Sequence, residues 1–454
     1  MTTVFHARSP NTGRVMATIP QVEDREIGLS LARLAKGTDA LTQDLALRKS
    51  VLLRCLGALE AAREELVELT IEEVGKTRSE ATGEIPYAAS FLETSLRLLR
   101  EFPFETMTET GRSVLSVARG TGLLIAPYND PVAGLARKIG PCVAAGAAAL
   151  VKPSELGVQC ALALARQFSN AGLDDYVSVL PLAEPMRIQK LIAEDSIGTV
   201  SFTGSTRVGL QVAASAAASA KAHIGEWGGT NPFVVFADAD LDQAVADLVS
   251  RKIRAAGQAC SAQNIVYVET PIAGELSDRV DAALTAIRFG PATDADSSMG
   301  PVRTAQSVAR LAQIGNQLEQ SGATLLCGGI RPVKDDSPFL APPTVYLVSD
   351  AQLLETEELF GPMMGIASFD NRSELKDRLA RNRQPLVLYL YGADLDAMQD
   401  LASGLRYGSI GLNTTGIQSP DAPTGGFGLA GLGREGGAWG LAEFLTTINV
   451  KRDV

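Results

Sequence analysis

The chain has 454 residues, 46% hydrophobic and 20% charged, enough for two or three domains around a large core, with a composition unlike that of disordered chains. A net charge of −11 excludes a general nucleic-acid surface, which needs a basic footprint. Five scattered cysteines without paired spacing point to reduced thiols and no metal site. The N-terminal "MTTVFHARSPNTG" lacks an apolar core, so a cytoplasmic location is expected. "GPCVAAGAAALV" is far short of the ~20 residues of a spanning helix, so no membrane partner is expected.

Residues 41–101 repeat apolar positions every three or four residues and read as helical. From 122 onward, short apolar runs alternate with helix-like stretches: "GLLIAPY", "AAALVKP", "YVSVLPL", "IGTVSFTG" and "KAHIGEWGG" mark the runs. Such alternation predicts parallel βαβ units and a Rossmann-like, doubly wound α/β sheet. A second α/β series starts at "NPFVVFADAD", beyond a Gly-Gly and Pro hinge near 226–232. This predicts a dinucleotide-binding domain from 1–104 and 122–228 and a catalytic domain over 229–428. "GRSVLSVARG" alternates apolar and polar residues. With the C-terminal "FLTTINVKRDV" it is expected to form a small oligomerisation sheet from 105–121 and 440–454.

Several strand ends carry polar residues where doubly wound sheets bind ligands. In "SFTGSTRVG", Gly204 permits a turn and Ser205 opens a helix. The site is either a pyrophosphate seat or an ordinary cap made by Ser205 or Thr206. In "LVKPSE", Lys152 or Glu155 can hydrogen-bond a ribose, or Ser154 or Glu155 can cap the next helix. Asn129 in "IAPYNDP" is an oxyanion donor or a turn residue before Pro131, and Glu226 in "GEWGG" a general base or a solvated carboxylate. Cys260, in "RAAGQACSAQN", is a nucleophile or a small buried hydrophobe. Only His6 and His223 are present, so thiol activation by histidine has few sources.

Taken together, these segments resemble the aldehyde dehydrogenase superfamily, in order, from about residue 10 to the C-terminus. "PYNDP" is similar to its P-W-N-F-P, "LVKPSE" to K-P-S-E and "FTGSTRVG" to F-T-G-S-x-x-x-G. "EWGGTNP" is similar to E-L-G-G-K-x-P, "GQACSAQN" to the G-Q-x-C segment and "EELFGP" to E-E-x-F-G-P. The resemblance implies oxidation of an aldehyde to a carboxylic acid with NAD, NADP being possible, in a non-acylating enzyme. Cys260 is then the nucleophile, Glu226 the base, and Asn129 the oxyanion donor beside the Cys260 backbone N–H. Lys138 and Glu435 are implied as a proton relay. Lys152, Ser154, Glu155, Gly204, Ser205, Gly209, Glu358 and Phe360 are implied at the cofactor. It also implies a homodimer or homotetramer. Glu155 is expected to repel a 2′-phosphate and favour NAD.

The chain departs from the family pattern at Asp130, Trp227, Thr230, Arg254, Ala255 and Thr424. An atypical pocket is therefore expected, with Arg254 or the loop 417–423 favouring a polar or acidic aldehyde such as a semialdehyde. Three rival readings remain. One is a CoA-acylating relative, which generally lacks the glutamate base. The others are a catalytically retired binding protein and a cysteine hydrolase using His223.

Overall fold

The computed structural model describes residues 4–451. Two sheets dominate. The first takes the spatial order Gly431–Leu432, Ala222–Glu226, Ile197–Thr203, Thr121–Ile125, Ala149–Lys152, Val177–Val179, all parallel except the first strand. The chain winds outward from Thr121–Ile125 in one direction and then returns to its other side, so the strand order reverses between Thr121–Ile125 and Ile197–Thr203. A ligand crevice belongs outside the carboxyl ends at that reversal. Ile125, Lys152, Thr203 and Glu226 all end their strands on this rim.

The second sheet has seven strands with Gln263–Glu269 at its centre, flanked by Asn231–Val235 and Met363–Phe369. Its strands read as near-continuous apolar runs, as parallel strands covered on both faces must. A third sheet joins Glu105–Met107, Ser113–Ala118 and Leu445–Val450, all antiparallel. The α/β class, the doubly wound sheet and the small antiparallel sheet all follow the sequence reading.

Three details differ from it. The expected helical stretch 41–101 is broken at Asp44, at Ala62 and by a π turn over Thr70–Val74 that ends at the left-handed Gly75. Met363–Phe369, read only as the sequel of a motif, is a central strand. A hairpin of Val4–Arg8 and Val15–Pro20 was not anticipated.

Two buried glutamates set the rim. Glu73 accepts from Gln159 N and Cys160 N, capping the helix Val158–Asn170. Glu84 accepts from Val132 N at 2.8 Å and Ala133 N at 3.0 Å, capping the helix Ala133–Ala144, while its other oxygen holds Lys76 Nζ at 2.7 Å. Carboxylates at helix N-termini satisfy otherwise unpaired donors and complement the dipole.

Candidate active site

Cys260 sits just after the bend that ends the helix Leu241–Ile253. Ala255, Ala256 and Gly257 are all left-handed, with φ of 48°, 53° and 71°. Two alanines in that region cost about 1–2 kcal/mol each, so the surroundings must impose the shape. Glu80 Oε1 accepts from Ala255 N at 2.7 Å. The Gln258 side chain donates back to Ala255 O at 2.8 Å and accepts from Arg303 N at 2.8 Å. Gly257 admits no side chain, since a Cβ there would lie 2.2 Å from Gly361 O. The bend that looks pliable in sequence is fixed from three sides.

After the bend, the fully buried Asn231 donates to Cys260 O at 2.7 Å and to Ala262 O at 2.8 Å. Asn264 carries the order onward, accepting from Leu359 N at 3.2 Å and donating to Glu357 O at 2.6 Å. The Cys260 loop and the Glu358 loop are thereby one unit. Phe360, also left-handed at φ 48°, meets the Tyr128 ring edge-on at 6.0 Å.

Cys260 is half-buried, and burial pushes its thiol up to about 12, with the Glu226 carboxylate adding to the rise and Arg137 opposing it. His223 is not among the groups acting most strongly on the sulfur. Its Nδ1 lies 3.2 Å from Val200 O, and burial lowers its pKa, so a Cys–His pair has no support here.

Glu226, only 4% exposed, ends its strand with Oε1 lacking any hydrogen-bond partner. Burial and then the Glu435 charge raise its pKa to about 8, against Arg137 and Lys138. Gly425 gives this carboxylate room, since a Cβ there would stand 2.6 Å from Glu226 Oε1. Behind it, Lys138 Nζ donates to Glu435 Oε1 at 2.6 Å and to Ser201 Oγ at 2.7 Å, all three buried. Burial alone would raise the Glu435 pKa, but Lys138 and Arg137 overcome it and hold it low. One carboxyl of the pair is thus kept ionised and the other poised near neutrality, the division of states that acid–base work requires.

Asn129 is half-buried and spends no hydrogen bond within the chain. Its neighbour Asp130 accepts from Lys76 Nζ at 2.5 Å and Arg254 Nη2 at 3.3 Å. Burial opposes its ionisation, yet these cations hold its carboxyl well below the usual range. Arg137 donates to Tyr87 OH at 2.9 Å and lies over the Phe91 ring at 4.8 Å, with its Nε unpartnered. Among the described residues no carboxylate forms an ion pair with it.

The rim suits a dinucleotide. Ser205 is the N-cap of the helix Thr206–Ala218 but makes no side-chain capping bond, so an exposed hydroxyl and free helix N–H groups face outward at the strand reversal. Gly204 N donates to Glu226 O at 3.0 Å, tying the two strand ends. Lys152, buried at its strand end, donates to Glu155 Oε1 at 2.6 Å, and Ser154 Oγ accepts from Leu156 N at 3.2 Å. Glu358, pushed up to about 7 by burial, accepts from Gly229 N at 3.4 Å.

A family model, "Aldehyde dehydrogenase family", matches residues 2–450. Succinate-semialdehyde dehydrogenase of Paenarthrobacter nicotinovorans is 32% identical over 431 residues, covering 94% of this chain and 95% of that protein. The chain belongs to the aldehyde dehydrogenase family. Glutarate-semialdehyde dehydrogenase of Pseudomonas putida is 30% identical, covering 96% of this chain and 92% of the relative. Among solved structures, an oxidoreductase from Marinobacter aquaeolei superposes with a TM-score of 0.93 at 28% identity, covering 99% of this chain and 95% of the other. An Escherichia coli NADP-dependent enzyme gives 0.92 at 28%, covering 99% and 94%.

This aldehyde dehydrogenase is accordingly an NAD(P)-dependent oxidoreductase acting on an aldehyde. Among its described residues no helix is long and apolar enough to cross a membrane, and no cluster of acidic, His or Cys side chains has metal-binding geometry. Cys260, Glu226, Lys138 and Glu435 converge on one electrostatic cluster. Gly209 stands apart: a Cβ there would meet Trp227 Nε1 at 2.2 Å, so the position gives clearance to the indole.

Sequence reading missed Arg137, Asn231, Gln258 and Lys252. Arg137 and Lys138 are the only charges in the otherwise small and apolar helix Ala133–Ala144, a signal that was available. Lys252 is buried, donates to Gln263 O at 2.7 Å and is pushed down to about 7 by burial.

Since the thiol is held up by burial and by Glu226, cofactor-free enzyme should alkylate slowly at Cys260. The iodoacetamide rate should climb beyond pH 9 without a plateau, with Cys260→Ala as the blank. Glu226→Gln removes the repelling charge and should speed the reaction at pH 9. A plateau below pH 8 in the parent contradicts this electrostatic account.

Proposed function

We propose that this enzyme oxidises an acidic aldehyde, of the semialdehyde class, to the carboxylic acid through a covalent acyl group on Cys260. Arg137 is the observation that carries the substrate class. Arg137 is half-buried, its Nε has no hydrogen-bond partner, and among the described residues no carboxylate pairs with it directly, although Glu435 and Asp130 act on it from further off; it also opposes the rise in the Cys260 pKa, so a directly paired countercharge is what it lacks. A substrate carboxylate supplies that charge and is well matched to the planar donor fork. Arg254, already paired with Asp130, and the loop 417–423 form the rest of the rim. Ile417 packs in the same cluster as Cys260. The names of the relatives, which act on succinate and glutarate semialdehydes, favour the same class.

In this reading the Cys260 thiol gives up its proton to water as its sulfur bonds to the carbonyl carbon, and Asn129 with the Cys260 N–H holds the oxygen that becomes negative. When bound, NAD(P)+ would supply the hydride acceptor and a positive charge. Lys152 and Glu358 would hold its riboses and Ser205 its pyrophosphate, and Phe360 would pack against its nicotinamide end. Glu226 then takes a proton from the water that hydrolyses the thioester, and Lys138 with Glu435 passes it onward. Glu155 disfavours a 2′-phosphate and makes NAD the preferred cofactor. The free edges of the three-stranded sheet supply a surface for a homodimer or homotetramer. A cytoplasmic location suits an enzyme whose five cysteines are all free.

Because a base must be unprotonated, turnover should rise with pH and level off above about 8, the value to which burial lifts Glu226. Glu226→Gln should lose about 10²–10⁴ in turnover while retaining a burst of one NADH per site without CoA. Sustained turnover of the parent enzyme should likewise need no CoA; turnover that proceeds only when CoA is added contradicts the hydrolytic reading.

Arg137→Gln should raise KM for a four-carbon semialdehyde acid by about 10- to 100-fold, the loss expected for a charge-assisted contact of roughly 1.5–3 kcal/mol. The change for butanal should stay within about 2-fold. Equal losses on both aldehydes would refute the assignment of the acidic substrate.

A further inference from the structure

Asn129 makes no hydrogen bond of its own within the chain, but both of its neighbours do, and both reach the nucleophile loop. Tyr128 OH donates to Gln258 Oε1 at 3.1 Å, and Asp130 Oδ1 accepts from Arg254 Nη2 at 3.3 Å. Residues 254 and 258 bracket the three left-handed residues whose shape places Cys260. One segment therefore comes from the end of the strand Thr121–Ile125 in the first sheet. The other leads into the strand Gln263–Glu269 of the second.

Both contacts are anchored behind. The Asp130 oxygen that meets Arg254 also accepts from Lys76 Nζ, and Lys76 is held by Glu84, which caps the helix Ala133–Ala144. Gln258 is fixed by Arg303 N and by its own bond to Ala255 O, and Arg303 reaches back to Leu156 O at 2.7 Å. Neither end of the connection can drift alone.

We infer that Tyr128 and Asp130 are positioning residues: a two-point latch across the crevice that keeps Asn129 in register with Cys260. The inference rests on the reading of Asn129 and Cys260 as reacting partners. It also gives Asp130, an unexpected acid at that position, a purpose distinct from substrate charge. A donor that must meet an oxygen only as negative charge develops gains most from such registration.

The latch has a signature in single-turnover NADH formation. Tyr128→Phe and Asp130→Asn each keep size and shape, and Lys76 keeps Glu84 in the second. Each should slow the burst by about 3- to 10-fold and the pair by about 10- to 100-fold, with neutral butanal and a four-carbon semialdehyde acid affected alike. Cofactor affinity should be unchanged. In an Asn129→Ala background the same substitutions should change the burst less than about 2-fold, because they act through the missing carboxamide. Losses that persist in full there, losses confined to the acidic aldehyde, or an unaltered double variant each overturn the latch alone. Absence of any burst in the parent enzyme overturns the reading of the site and the latch with it.

Discussion

The side chain of Asn231 fixes the Cys260 loop at the point where the chain passes from one sheet to the other. Its amide donates to Cys260 O and Ala262 O, and its oxygen accepts from Val387 N at 3.0 Å. It stands five residues after Glu226, so the chain that delivers the carboxylate from one sheet immediately fastens the thiol loop of the other. A fully buried carboxamide is tolerated only when its groups are paired, and here those pairs fix the loop geometry. Rim residues ending four strands of the first sheet thereby lie a short crossing away from the thiol loop of the second.

That site is electrostatically quiet on its own. Burial lifts the thiol of Cys260 and the carboxyls of Glu226 and Glu358, while Glu435 is held ionised by Lys138 and Arg137, and Asp130 by Lys76 and Arg254. A sulfur that stays protonated until a cationic ring and an aldehyde arrive is protected from stray alkylation and oxidation. Arg137 works against this, since it opposes the thiol rise, and its Nε is left without a hydrogen-bond partner.

Much of this was legible in the sequence. Alternating runs and helices gave the doubly wound sheet, and Lys152, Glu226 and the Thr203–Gly204–Ser205 turn fall at strand ends, where the pattern puts them. What escaped has physical causes. Ala255 and Ala256 carry the highest helix propensity, so nothing local announces two left-handed alanines; Glu80, 175 residues away, imposes the turn. Gly431–Leu432 is too short to show any period, yet it closes the sheet edge beside Glu226. The rise of the Cys260 pKa has no local sequence signal either, because desolvation depends on how distant segments close over the sulfur.

The central claim is that the acyl group is carried by Cys260. Acid quenching of the unaltered enzyme during turnover of a semialdehyde with NAD+, followed by peptide mass spectrometry, tests it directly. The account predicts an acyl mass on the peptide containing Cys260 that vanishes in Cys260→Ala. NADH formation without that adduct, or an adduct on a different cysteine, would contradict it.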